Sequence, residues 1–217
     1  PSARNAHPRQ EDNDSFATGV KKLLKNRAYL SLLLAVFFVF FGSSGSMLFL
    51  SVRISDLGGG NGDYGLALFI MAMSEVPALL SYKKLAPRFS NYSLLCISMF
   101  FMVLKISAVA LSPRVWMIVA LMTLQAPSYG IYLSSIANYV PEIVERRTVF
   151  TAQTVIAAIV SGLAGICSNL FMGAAATAIG LRPALCLMIA FPAVGLLIFC
   201  LSKFLVKKPS APVPART

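Results

Sequence analysis

Within LFIMAMSEVPALL, residues 68–80, a single carboxylate, Glu75, stands among apolar side chains. An ammonium group, Lys105, lies inside the apolar run at 93–111, and an amide, Gln125, inside the run at 115–139. A carboxylate, an ammonium group and an amide can hold a proton, bind a polar solute through donors and acceptors, or neutralise one another. Two aromatic hydroxyls, Tyr129 and Tyr132, follow Gln125 at helical spacing. Which chemistry applies depends on the medium around these groups.

Composition identifies the medium. Of 217 residues 57% are hydrophobic and 12% charged, with mean hydropathy +0.75, whereas soluble domains carry about 25% charged residues. Six apolar stretches, at 28–52, 64–82, 93–111, 115–139, 148–175 and 182–206, are long enough to cross ~30 Å of hydrocarbon. Backbone amides in lipid must be bonded within their own segment, so each stretch is expected to be a helix. The expected fold is all-α: a polytopic membrane protein with a six-helix transmembrane bundle at 28–206, a cytoplasmic linker at 1–27 and a cytoplasmic tail at 207–217.

Fifteen of the nineteen Lys and Arg residues fall on one side: fourteen in the two termini and the loops after the second and fourth stretches, and Lys203 near the end of the sixth stretch. Cytoplasmic loops collect basic residues, which predicts that both termini face the cytoplasm of a cell (plasma) membrane protein. The same placement accounts for the net charge of +11 through topology and attraction to anionic headgroups, and excludes nucleic acid as the partner. The four cysteines, Cys96, Cys167, Cys186 and Cys200, all lie inside apolar stretches and read as packing residues, with no metal site, cofactor or disulfide implied. Residues 1–20 are polar and lack the apolar core of a signal peptide, and the absence of an initiating Met fits a truncated chain.

A charge at mid-membrane costs roughly 2.5 to 3.5 kcal/mol, so Glu75 needs a partner, a proton or water. Counted from the outer ends of their stretches, Glu75 and Lys105 lie at depths of about 16 and 9 Å, which permits an ion pair across adjacent antiparallel helices. Gln125 lies at about 15 Å, close to the depth of Glu75. Gln125, Tyr129, Tyr132 and Tyr139 share one helical face, beside Ser128 and Ser135, and a hydrogen-bonding aromatic stripe of that kind should face a cavity. Pro77 and Pro127 each follow a polar group by two residues; each removes an amide and predicts a helix kink at mid-membrane depth. Irregular helices at that depth line transporter binding sites.

In the fifth stretch Ala157, Ser161, Gly165, Asn169 and Gly173 repeat every four residues, spacing that lets another helix approach closely, with Asn169 able to bond across the contact. The first stretch holds Gly42, Ser43, Ser44 and Gly45, a G-x-S-G of the kind that intramembrane serine proteases place around a nucleophile. The only histidine, His7, lies outside the membrane, so no base accompanies it, and the segment reads as small residues for packing rather than as an enzyme's site.

The chain resembles the C-terminal six-helix half of a major facilitator superfamily transporter, in the branch containing lactose permease, the phenylpropionate permeases and the nucleoside:proton symporters. SYKKLAPRFSNYSLL is similar to a degenerate form of the family's signature cytoplasmic loop, with Arg88 at its arginine, Pro87 replacing the usual acid and Ser90 the usual glycine. LQAPSYGIYLSSIANYVPEIVERRTVFTAQTV resembles the branch's helix 10, loop and start of helix 11, including Tyr139, Arg147 and Gln153. The resemblance places Glu75 at the helix 8 carboxylate that binds sugar in lactose permease, Lys105 at the helix 9 arginine of its coupling network, and Gln125 where many relatives have histidine. The acids of helices 7 and 10 have no counterpart here, so any proton coupling has to run through Glu75.

The resemblance implies half of a twelve-helix fold, with a missing N-terminal six-helix half as partner. It implies secondary active transport of a small polar solute, a sugar, nucleoside or organic acid, by alternating access in the lipid bilayer, with or without protons. Two other functions fit the same residues: a self-contained six-helix homo-oligomeric channel or carrier, and a non-transporting membrane sensor or scaffold.

Overall fold

The computed structural model describes residues 9–205, and all its regular elements among those residues are helical. Helix α1 (Arg9–Lys25) precedes a first span made of α2 (Arg27–Leu48) and its continuation α3 (Leu50–Asp56). The second and third spans are α4 (Asn61–Leu85) and α5 (Asn91–Leu111). The fourth is segmented into α6 (Val115–Leu121), a 3₁₀ turn (Met122–Leu124), a π turn (Ala126–Gly130) and α7 (Ile131–Ile143). After a 3₁₀ turn (Arg146–Thr148) the fifth contains α8 (Val149–Ala158), a second π turn (Ile159–Leu163) and α9 (Ala164–Ile179), and α10 (Leu181–Leu205) is the sixth.

Six helices are long and apolar enough to cross a membrane, with bounds within four residues of those expected from hydropathy. Local chemistry sets their ends. The Asn26 side chain accepts from the amides of Ala28 and Tyr29 and starts α2, while Ser90 accepts from the amide of Ser93 and starts α5. Asp63 accepts from the Gly60 amide at 2.9 Å and caps α4. Gly180 closes α9 with φ of +89°, a left-handed conformation that side chains beyond glycine adopt only with strain. The segment expected as a linker is helical from Arg9 to Lys25, and the tail at 207–217 lies outside the described residues.

α2 is the inner post of the bundle. It meets α10 so closely that a Cβ on Gly195 would lie 2.7 Å from the Ala35 carbonyl oxygen, and one on Gly42 would lie 2.6 Å from that of Met188. A Cβ on Gly45 would lie 2.5 Å from Ser168 Oγ on α9, and the Ser168 hydroxyl donates to the Phe41 carbonyl. The glycines around Ser43 and Ser44 are therefore helix contacts, and the buried Ser43 hydroxyl points to the Met102 sulfur.

The fifth span meets the rest of the bundle mainly through Ala152, Ile156, Ala164, Ser168 and Met172, all buried, and only in part through the row Ala157, Ser161, Gly165, Asn169 and Gly173, of which Gly165 and Asn169 are half-buried and a Cβ on Gly165 would lie 4.0 Å from Ser44 Oγ of α2. Ala157 and Ser161 are exposed, the Ser161 hydroxyl turns back to the Ala157 carbonyl at 2.6 Å, and a Cβ on Gly173 would meet nothing within 4 Å. Four-residue spacing defines a helix face without saying what that face meets, and here the Ser168 bond and Met172 turn the neighbouring face inward. Asn169 Oδ1 has no partner, so the cross-helix bond expected of it is not made among the described residues.

Burial is uneven. In the most apolar window of α2, 61% of residues are buried, against 11% for α4 and 22% for the fifth span. α4 leaves Phe69, Met73, Val76 and Leu80 more than half exposed. Polar ties gather at one end of the bundle. Lys22 pairs with Glu145 at 2.6 Å, Asn26 Nδ2 donates to the Ile143 carbonyl at 2.7 Å, and the Tyr82 hydroxyl, Asn91 and Glu142 link α4, α5 and α7 in series. At the other end Arg53 is buried, with Nη1 on Asp56 and Nη2 on the Ser112 carbonyl.

The α2–α10 contact is testable. Gly195→Val should cost about 1–3 kcal/mol by overpacking and lower the thermal unfolding midpoint of the detergent-solubilised protein, while Gly62→Ala, with no neighbour within 4 Å, should not.

Candidate functional site

Lys105, Gln125 and Glu75 form one hydrogen-bonded chain. Lys105 Nζ donates to Gln125 Oε1 at 2.5 Å, and Gln125 Nε2 donates to Glu75 Oε1 at 2.6 Å. The amide satisfies both neighbours in only one orientation, with its oxygen toward the ammonium group and its NH₂ toward the carboxylate. Lys105 is 3% and Gln125 6% exposed, whereas Glu75 is half-buried. The direct Glu75–Lys105 ion pair expected from depth is absent from the ion pairs among the described residues, because the amide occupies the place between them.

The backbone brings the three together. Gly130 packs against α4 so tightly that a Cβ there would lie 2.5 Å from Ala78 Cβ and 3.5 Å from the Glu75 carbonyl oxygen. That contact sets Glu75 beside the irregular stretch that carries Gln125. The fourth span changes from α to 3₁₀ at Met122 and to π at Ala126, around Pro127, which has no amide to donate to the helix ladder. Pro77 differs: α4 remains an α-helix from Asn61 to Leu85 across it.

Tyr129 and Tyr132 lie elsewhere. They stack on each other at 6.2 Å, with Phe40 of α2 at 5.0 Å from Tyr132, and line a cavity of ≈340 Å³ between α7 and the fifth span. Gln153, Ala157, Val160 and Ser161 form its other wall. Two members of the small-residue row therefore line a cavity, and the second π turn borders it. The Tyr132 and Ser135 hydroxyls are buried without hydrogen-bond partners. Tyr139 turns from the cavity to Tyr92 and Phe199. The site expected as one lining is thus two adjoining features, a polar relay among α4, α5 and the broken span, and an aromatic cavity reached from Gln125 by one turn of helix.

Arg88 is exposed in the turn between α4 and α5, where its amide donates to the Leu85 carbonyl, and it has no place in either feature. Phe40, which packs behind the two tyrosine rings, was not among the expected residues, since nothing in an apolar helix marks one phenylalanine as the partner of a tyrosine pair. No cluster of three or more His, Cys, Asp or Glu suited to a metal occurs among the described residues.

Residues 2–185 match the model of the MFS_1 like family. The chain belongs to this family. The family is one of membrane transporters rather than enzymes, and the six-helix bundle is half of a major facilitator fold. Among curated relatives, the maltose permease of Geobacillus stearothermophilus is 27% identical over 144 residues, which are 66% of this MFS_1-like chain and 36% of the permease. The uncharacterized transporter YwbF of Bacillus subtilis (strain 168) is 23% identical over the same shares. A crystal structure of a bacterial homolog to the human lysosomal transporter Spinster, inward-facing and unoccupied, superposes with a TM-score of 0.58 at 18% identity, covering 94% of this chain and 53% of that one. The chain thus spans about half the length of the structural relative, and little more than a third of either curated relative is aligned.

The relay predicts a specific coupling. Gln125→Met leaves a buried ammonium group without its acceptor, a loss of about 3–5 kcal/mol, and Lys105→Met added to it should recover most of the thermal stability. Equal losses in the single and double variants would show that the two side chains do not depend on each other.

Proposed function

We propose that this bundle is the C-terminal half of a twelve-helix carrier that moves a small polar solute across a cell membrane by alternating access, with both termini cytoplasmic. One observation carries this reading: at mid-membrane depth a hydrogen-bonded chain runs from a buried ammonium group through an amide to a half-buried carboxylate. Intramembrane ionisable groups mark solute and ion pathways, and this one ends beside a helix interrupted at the same level. The adjoining aromatic cavity supplies Tyr129 and Tyr132 for the solute's body.

The uneven burial supports the partner half. α4 and the fifth span present the least buried faces, and a six-helix partner would cover both, including the row of small residues. Resemblance to a maltose permease favours a sugar among polar solutes, and the orphaned hydroxyl of Tyr132, a residue of the cavity wall, suits a ligand rich in hydrogen-bonding oxygens.

In the mechanism, Lys105 and Gln125 hold the Glu75 side chain in place in one state. A solute donor or a proton on Glu75 competes with the Gln125 amide, releases the α4 end of the relay and biases the alternative arrangement of the halves, since a ligand shifts an equilibrium only through its differential contacts. In the full-length protein Glu75→Gln is expected to abolish or uncouple uptake with expression intact; unchanged uptake together with unchanged pH dependence would remove Glu75 from the pathway.

A further inference from the structure

Two thiols that sequence order separates widely meet near one membrane border. Cys96 of α5 and Cys200 of α10 place their Sγ atoms 3.8 Å apart, both half-buried. Each lies five residues from the end of its helix, at a depth of about 7 Å. The register between the two helices is held at this level: the Tyr92 hydroxyl donates to the Phe199 and Cys200 carbonyls at 3.1 and 3.2 Å, its ring stacks on Phe199 at 4.8 Å, and Lys203 Nζ sits 5.3 Å from the ring centre. The thiols are thus neighbours by virtue of a fixed helix contact. Cys167 and Cys186 are in no such pair. Neither thiol belongs to the relay or the aromatic cavity.

We propose that Cys96 and Cys200 constitute an oxidisable dithiol site, converted by a small two-electron thiol oxidant into a disulfide that staples the third span to the sixth. Bonded sulfurs lie about 2.05 Å apart, so closure needs the two Sγ atoms to move together by less than 2 Å, within reach of side-chain rotation and small helix adjustment. In the reaction the two thiols give up two protons and two electrons and one Sγ–Sγ bond forms. An azo or disulfide oxidant accepts both: the N=N bond of diamide becomes HN–NH, or a low-molecular-weight disulfide is cleaved to two thiols. The depth of the pair leaves it reachable by a membrane-permeant oxidant from the nearby border, and both helices belong to the same half, so the staple does not bridge halves that rock against each other.

The test uses the full-length protein in membranes treated with diamide, quenched with a maleimide, digested without reductant and mapped by mass spectrometry. The expected result is a linked peptide pair containing Cys96 and Cys200, lighter than the sum of its thiol forms by two hydrogens and released by dithiothreitol. Maleimide labelling of Cys200 should be lost on oxidation in the wild type and retained in Cys96→Ser, with the reciprocal outcome for Cys96 in Cys200→Ser. Both serine variants should elute from size exclusion as the wild type does. Persistent maleimide labelling of both thiols after diamide treatment, or loss of Cys200 labelling that is the same in Cys96→Ser, would overturn the proposal.

Discussion

An ammonium group buried among membrane helices must find acceptors from the protein, because hydrocarbon offers none. Lys105 meets this requirement through the Gln125 side-chain oxygen, and that single bond constrains much of the surrounding structure. The amide can serve Lys105 only with its NH₂ turned away, and that NH₂ then needs an acceptor, which Glu75 provides. Glu75 reaches it only because α4 lies against the fourth span at a residue without a side chain, Gly130. The irregular turns around Pro127 orient Gln125 between the other two spans.

Most of the architecture was legible in the sequence because hydropathy is a local property. The spans emerged within a few residues, and the similar depths of Glu75 and Gln125, with Lys105 within side-chain reach of them, followed from counting along helices. Rotation about the helix axes is a tertiary property and was not legible. Depth permits a direct ion pair between Glu75 and Lys105; whether an amide intervenes depends on how the fourth span turns. The same limit applies to the row from Ala157 to Gly173, whose spacing is evident but whose direction is set by Ser168 and Met172. Pro77 and Pro127 look alike in sequence, yet only the second coincides with a change of helix type. The meeting of Cys96 and Cys200 has no sequence signal, since it arises from the register of two helices whose cysteines lie 104 residues apart.

The two π turns sit in the middle of the fourth and fifth spans, and both border the aromatic cavity. A widened turn weakens the regular hydrogen-bond ladder and lets side chains leave the helical progression, and such turns are frequent at functional sites. The inner post, α2, contains no such turn across its buried length and is held by glycine contacts to α10 and α9. The bundle therefore combines a tightly packed side around α2, α5 and α10 with an irregular side around the fourth and fifth spans.

The relay carries no net charge when its lysine and glutamate are both ionised, but its ends are not equivalent. The positive end is sealed within the bundle and the negative end is half-uncovered on α4. Seen from the open side of that helix, the arrangement is a fixed dipole whose field does not cancel at the surface, and the Gln125 amide, its oxygen toward Lys105 and its NH₂ toward Glu75, opposes that dipole only in part. A neutral set of side chains thus gives this wall of the bundle a polarity.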